Sequence, residues 1–334
     1  MFKQKGLSLI ELMVSLVIGL VLMTGVVEVF ISSKGTFTTQ NAMSRVQEVG
    51  RLAIDFMAKD IRQAGYAGCI TRGEMEIVDG LDASASSDYR YSFVNAIRGY
   101  DADTAENTLN VTDGLTGIEV KANTDALFVS SAGASSLSLS QSTGSTNTVK
   151  ANGAVSGGCV GDVCEGDIVV LSDCVQARRF QVTGLTENSG KVDVKYDDSS
   201  ATPGNNTASW GQEFDTGSQI IRTTNMLYFI ADNEFGEPSL YQKVGDDLPI
   251  VLLEGVQDMK LTYSSNGGAY VEDSAVTNWN AVTSVNVELL VRSPVDNVIE
   301  DSQPYTFAGT TTTPADRRIR QTFNSTIAIR NRLQ

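Results

Sequence analysis

The sequence predicts an α+β protein in which a long N-terminal helix, half membrane segment and half amphipathic, packs on an antiparallel β-rich head of two sheets. Three observations predict it. An apolar run starts at Leu7 and passes into an amphipathic stripe, with no proline before Pro203 to break the helix. Beyond residue 120, apolar and polar residues alternate at period two, the mark of half-buried strands. A background rich in Gly, Ser, Thr, Asn and Asp, with 30 glycines, supplies turns for many short strands.

The 334 residues suffice for one large head or two smaller domains beyond the N-terminal segment. A formal net charge of −15 argues against a nucleic-acid partner, because phosphate binding wants a basic face. The chain contains no histidine, which excludes Ser-His-Asp and Cys-His catalysis and His-ligated metal.

The first element is the membrane segment. Residues 12–27 carry no charge, but they are too few for a span of ~20 residues. A spanning helix that starts at Leu7 therefore takes Glu11 with it. A carboxylate in lipid costs roughly 2.5–3.5 kcal/mol at the bilayer centre on insertion scales and normally has a partner. The bland reading is that Glu11 snorkels to the helix end. Its place in the first turns also suits the helix dipole. Lys3 and Lys5 give a basic leader, yet no Ala-x-Ala-like cleavage site follows the apolar run. Instead Gly6 stands between leader and run.

The stretch KGLSLIELMVSL resembles the class III signal of type IV pilins and pseudopilins. That resemblance implies a prepilin peptidase cut between Gly6 and Leu7, N-methylation of Leu7, and Glu11 as the fifth residue of the mature chain. It also implies that Glu11 docks the subunit by pairing with the N-terminal amine of a neighbour. Family members usually begin the mature chain with Phe, whereas this one has Leu7. The basic leader stays cytoplasmic by the positive-inside rule, placing the rest in the periplasm.

The amphipathic half follows. Phe37, Met43, Val46, Ala53, Phe56 or Met57, Ile61 and Ala64 recur at helical spacing, with Arg45, Glu48, Arg51, Asp55 and Lys59 on the other side. Gly35 and Gly50 weaken the helix, and Gly65 suits its C-cap. The expected division is a leader at 1–6, a transmembrane half at 7–30, an amphipathic half at 31–65 and a periplasmic head at 66–334.

Within the head, strands are expected at Ala126–Ser131, Asp167–Leu171, Phe180–Thr183, Ile220–Thr223 and Met226–Ala231. Alternation marks three more around Met259–Tyr263, Val285–Val291 and Ile319–Ile329. Residues 130–158 are low in complexity and read as a flexible loop. The cysteines are Cys69, Cys159, Cys164 and Cys174; an oxidising periplasm would pair them in one of three connectivities. A two-residue type II′ turn at Gly161-Asp162 would set Cys159 opposite Cys164, leaving Cys69 for Cys174. A zinc site is disfavoured by the scattered spacing. DADTAEN at 101–107 has acidic spacing but lacks the glycine and closing glutamate of an EF-hand loop. Asn110, Asn205 and Asn324 open Asn-x-Ser/Thr triplets, and Asp197-Asp198 reads as a turn. The expectation is no enzyme, no cofactor and no metal.

With VGRLAIDFMAKDIRQAGYAGC, GDIVVLSDCVQARRFQVTG, LLEGVQDMKLTYS, WNAVTSVNVELLVRS and RRIRQTFNSTIAIRN added to the signal, the chain resembles the PilW family of minor pilins. The resemblance implies a pilin-like fold and a minor pilin that primes type IV pilus assembly and sits at or near the tip. The implied partners are other minor pilins, the major pilin, the prepilin peptidase, the inner-membrane assembly platform and a large tip adhesin. The implied location is the inner membrane, then the extracellular pilus. The rival readings are a J-type minor pseudopilin of type II secretion and an adhesin subunit that binds surfaces directly.

Overall fold

A computed structural model describes residues 8–68, 77–82, 91, 96–102, 119–143, 147–197, 202–206, 213–245 and 247–332. Helix α1 spans Leu9–Gln63, or about 80 Å at ~1.5 Å per residue. Ser8 caps it: its Oγ accepts from the Glu11 N–H at 3.3 Å, and the Glu11 carboxylate accepts from the Ser8 N–H at 3.4 Å. This is a reciprocal capping box, written in the sequence as Ser-x-x-Glu. Up to residue 41 the helix is almost wholly exposed. From there one stripe is buried, at Ala42, Val46, Gly50, Ala53, Met57 and Ile61. The expected stripe holds at Val46, Ala53, Met57, Ile61 and Ala64. It fails at Phe37 and Met43, which stay exposed at 71% and 41%; of the alternatives Phe56 and Met57, the buried one is Met57. Gly50 is where the Phe323 ring lies on the helix; a Cβ there would come within 2.2 Å of it.

The strands in chain order are β1 (Ile77–Asp79), β2 (Ile97–Asp101), β3 (Asp125–Ser138), β4 (Thr148–Asn152), β5 (Cys159–Val160), β6 (Val163–Cys164), β7 (Ile168–Ser172), β8 (Ala177–Gln181) and β9 (Gly184–Asn188). They continue as β10 (Lys191–Lys195), β11 (Gln219–Asp232), β12 (Pro238–Val244), β13 (Ile250–Glu254), β14 (Val256–Ser265), β15 (Val282–Arg292), β16 (Tyr305–Phe307), β17 (Thr310–Thr312) and β18 (Arg320–Ala328).

The organising element is the antiparallel pair β3–β11. Each strand has 14 residues, roughly 45 Å of ribbon at ~3.3 Å per residue. β3 pairs with β11 from Gln219 to Tyr228. β7 pairs with its first part, Gln219–Arg222, and β12 with its last, Met226–Asp232. A strand has only two edges, so β7 and β12 share the edge opposite β3, at different ends. β8 and then β1 extend the β7 end, with β1 parallel to β8; β13 extends the β12 end, and β2 pairs with β3.

Separate sheets pack at the two ends. β14–β15–β18 lies beside α1, and alternating residues such as Met259, Leu261, Val285, Val287 and Ile327 share one core with the helix stripe. At the other end, β4–β10–β9 closes over β7 and β8 around Val192, Val194, Phe180 and Tyr196. The head is therefore more divided than two sheets on one helix, though the α+β, pilin-like arrangement stands.

Two expectations are corrected. Of the expected loop at 130–158, residues up to Ser138 continue β3 and Thr148–Asn152 form β4. Small polar residues make poor isolated strands, but pairing with β11 decides the matter here. The strands expected at Ile220–Thr223 and Met226–Ala231 are one strand, β11, with a register shift between Ile221 and Thr223.

Candidate processing, docking and disulfide sites

Gly6 and Leu7, the expected cleavage and methylation residues, lie outside the described residues. Glu11 is described. It sits in the first turn of α1, exposed, on the one described helix long and apolar enough to cross a membrane. None of that helix's most apolar stretch is buried by the head. The bond from Ser8 N–H to the Glu11 carboxylate is 3.4 Å, beyond the usual 2.7–3.2 Å range. It leaves most of the carboxylate's four lone-pair sites open. Glu11 can thus cap its own helix weakly and still accept a cation. The capping role is readable as Ser8-x-x-Glu11, a signal that the docking reading passes over.

Cys159 and Cys164 form a disulfide with Cα atoms 4.0 Å apart, facing each other in register across β5–β6. The turn is the expected one: Gly161 takes φ +60°, while Asp162 has no positive φ. Val160 and Val163 of this hairpin, both 1% exposed, are buried in the core around Phe180 and Tyr196. Cys174 is disulfide-bonded and takes φ +70°. Cys69, its expected partner, lies outside the described residues.

Other polar groups fasten the helix and the two sheets. Asp60 of α1 accepts a short hydrogen bond from the Tyr228 hydroxyl on β11, and Gln242 of β12 donates to that oxygen at 2.8 Å. Burial raises the Asp60 pKa against the lowering effect of this bond, and raises that of Tyr228. Sequence alone shows Asp60 as one more charge on the helix. Asp125 at the start of β3 accepts from the Leu261 N–H at 2.7 Å and from Lys260 at 3.4 Å, tying the large sheet to β14. Burial raises the Asp125 pKa, and pushes Asp258 up to about 6. These carboxylates stand at packed seams.

The remaining motifs disperse. Asp101 ends β2, and residues 103–107 of DADTAEN are outside the described residues, as are Asn110 and Asp198. Asn205 is buried and holds β8: its Oδ1 accepts from the Gln181 N–H at 2.7 Å and its Nδ2 donates to the Gln181 carbonyl at 2.8 Å. Asn324 is exposed and bonded to Asn286. Among the described residues no group of three His, Cys, Asp or Glu is placed to hold a metal.

A membrane-length helix running straight into a β-rich head, with a carboxylate in its first turn, is the architecture of a pilin-type, membrane-anchored subunit. Residues 1–27 match the family described as Prokaryotic N-terminal methylation motif, and residues 227–331 match Type IV Pilus-assembly protein W. No curated protein and no solved structure matches the chain. Over these two segments the chain is similar to PilW-like pilins of type IV pili. Both matched families are structural or assembly proteins.

Proposed function

We propose that this chain is a minor pilin that primes type IV pilus assembly and is incorporated at or near the pilus tip, with no catalysis of its own. The observation that supports it is the continuity of the N-terminal methylation motif with a helix whose first half is bare and whose second half is packed under the PilW-matching strands β12, β14, β15 and β18. A bare apolar half-helix needs lipid or other helices around it.

In this reading the prepilin peptidase cuts between Gly6 and Leu7, and Leu7 is methylated. The Glu11 carboxylate, only weakly engaged by Ser8, pairs with the amine of a neighbouring subunit. An unpaired carboxylate is costly in lipid, so pairing favours docking beside another pilin. The head stays in the periplasm while the helix is in the inner membrane, then leaves with the filament. Cys174 pairs with Cys69 just beyond α1. The partners are other minor pilins, the major pilin, the assembly platform and a large tip adhesin. The match of the C-terminal sheet to a pilus-assembly family favours a pilus over a secretion pseudopilus.

Deleting the chain tests this. The reading expects loss of most surface pili with type II secretion intact, and restoration by the wild-type chain. Normal piliation with failed secretion would replace it by the pseudopilin reading.

A further inference from the structure

Among the described residues, the buried apolar clusters of the head divide, and none straddles the two ends. The helix-side clusters draw on α1, on residues 96–129, and on the chain from Leu227 onward. The distal clusters draw only on residues 67–91 and 137–220. Between them runs the waist of the β3–β11 ribbon, where Ser130, Ser131 and Ala132 face Asn225, Thr224 and Thr223. Its ties are polar: the Ser130 hydroxyl donates to Asn225 Oδ1 at 2.6 Å, and the Thr223 hydroxyl to the Ile168 carbonyl at 2.8 Å. The end of α1 is anchored at this waist, with Gly65 N–H on the Ser130 carbonyl and Ala132 N–H on that of Tyr66.

The distal part has its own closure. Ser138 and Gln219 are register partners, so the chain leaves the ribbon and returns to it at one point. β5–β6 is stapled by Cys159–Cys164, Arg179 pairs with Asp79, and Gly80 and Asp82 bond to 179 and 204. The match to the pilus-assembly family begins at 227, on the helix side of the waist.

We propose that the head is two cooperative units on one ribbon, and that the distal unit, built on the described residues of 67–91 and 137–220, is a separable module that takes no part in assembly. Cooperative units follow contiguous cores, and a neck of small polar residues transmits little packing energy between them. The helix-side unit holds the stripe of α1 and the matched strands, which suffices to present the helix for docking. The assembly clause rests on the pilin reading; the division into two units does not.

Hydrogen exchange on the solubilised full chain tests the division. Phe180, fully buried with its ring 5.4 Å from that of Tyr196, fills the distal core, and Met259 fills the helix-side core. Phe180→Ala should speed exchange in β4, β8 and β10 by about a hundredfold or more, while residues 42–63 and β14–β18 stay within about twofold. Met259→Ala should give the reverse. Equal acceleration across both units in either variant overturns the division. In cells, Phe180→Ala, or the milder Val194→Ala if the first is degraded, should be processed and should co-purify with the other pilins at wild-type level. Loss of co-purification with partitioned exchange refutes the assembly-neutral role and leaves docking through Glu11 standing.

Discussion

Gly50 offers a test of how α1 seats on the head, because two effects of known size oppose each other there. An alanine in a helix interior is favoured over glycine by about 1 kcal/mol. The new Cβ, however, would lie 2.2–2.4 Å from three atoms of the Phe323 ring. Ordinary carbon contacts are ~3.5–4.0 Å, so the ring must move by more than ~1 Å. Phe323 packs against the main core, and overpacking of this kind costs about 1–3 kcal/mol. Gly50→Ala should therefore destabilise the chain by about 1 kcal/mol net. In a Phe323→Ala background the clash is gone and the same change should stabilise by about 1 kcal/mol, a coupling of about 2 kcal/mol. Denaturant unfolding of the solubilised chain and its three variants measures the cycle. If Gly50→Ala stabilises both backgrounds equally, Phe323 does not rest on the helix as described.

Other outcomes follow from the same structure. Gly6→Val should leave the chain unprocessed and membrane-held, and N-terminal sequencing of the wild-type chain should begin at Leu7. Mass mapping of the non-reduced chain should find Cys159 joined to Cys164 and Cys69 to Cys174; loss of the first should cost roughly 2 kcal/mol and of the second roughly 5, by loop entropy. The Asp258 carboxyl, held up to about 6 chiefly by burial, takes up a proton in the folded chain at a higher pH than in the unfolded one. Its contribution therefore favours folding below about pH 4 and is lost as pH rises through about 6. Asp258→Asn, which keeps an acceptor for the Met259 N–H, should stabilise the chain above pH 7 and flatten that slope. An unchanged slope would assign the pH dependence to Asp60 and Asp125.

Much of this could be read in advance where one residue decides one thing. The helix stripe from Val46 to Ala64 shows because each apolar position meets the same core. The strands of the C-terminal sheet show because one face is buried and the other wet, which writes period two directly into Val285–Val291. The Cys159–Cys164 hairpin shows because a local turn brings the sulfurs together. What stayed hidden depends on distant chain. Ala132–Ser136 has no strand signal of its own and becomes a strand through Ile221–Thr223. The polar centre of β11, Arg222 to Asn225, splits one strand into two apparent ones for the same reason. The division of the head follows from that waist, so it was equally hidden. The capping partner of Glu11 was visible in Ser8-x-x-Glu11, but a carboxylate that can serve two ends reads as serving only one.

The central claim is that the charge of Glu11 docks this chain against a neighbouring pilin, and Glu11→Gln tests it most directly. Glutamine serves a capping box as glutamate does, so the change preserves the helix start at Ser8 while removing the charge. The measurement is co-purification of the variant with the other minor pilins from membranes, alongside its processing and abundance. The account predicts normal cleavage, normal abundance and loss of co-purification. If Glu11→Gln co-purifies and supports piliation as well as the wild-type chain, and only Glu11→Ala fails, the carboxylate is a helix cap and the docking claim is contradicted.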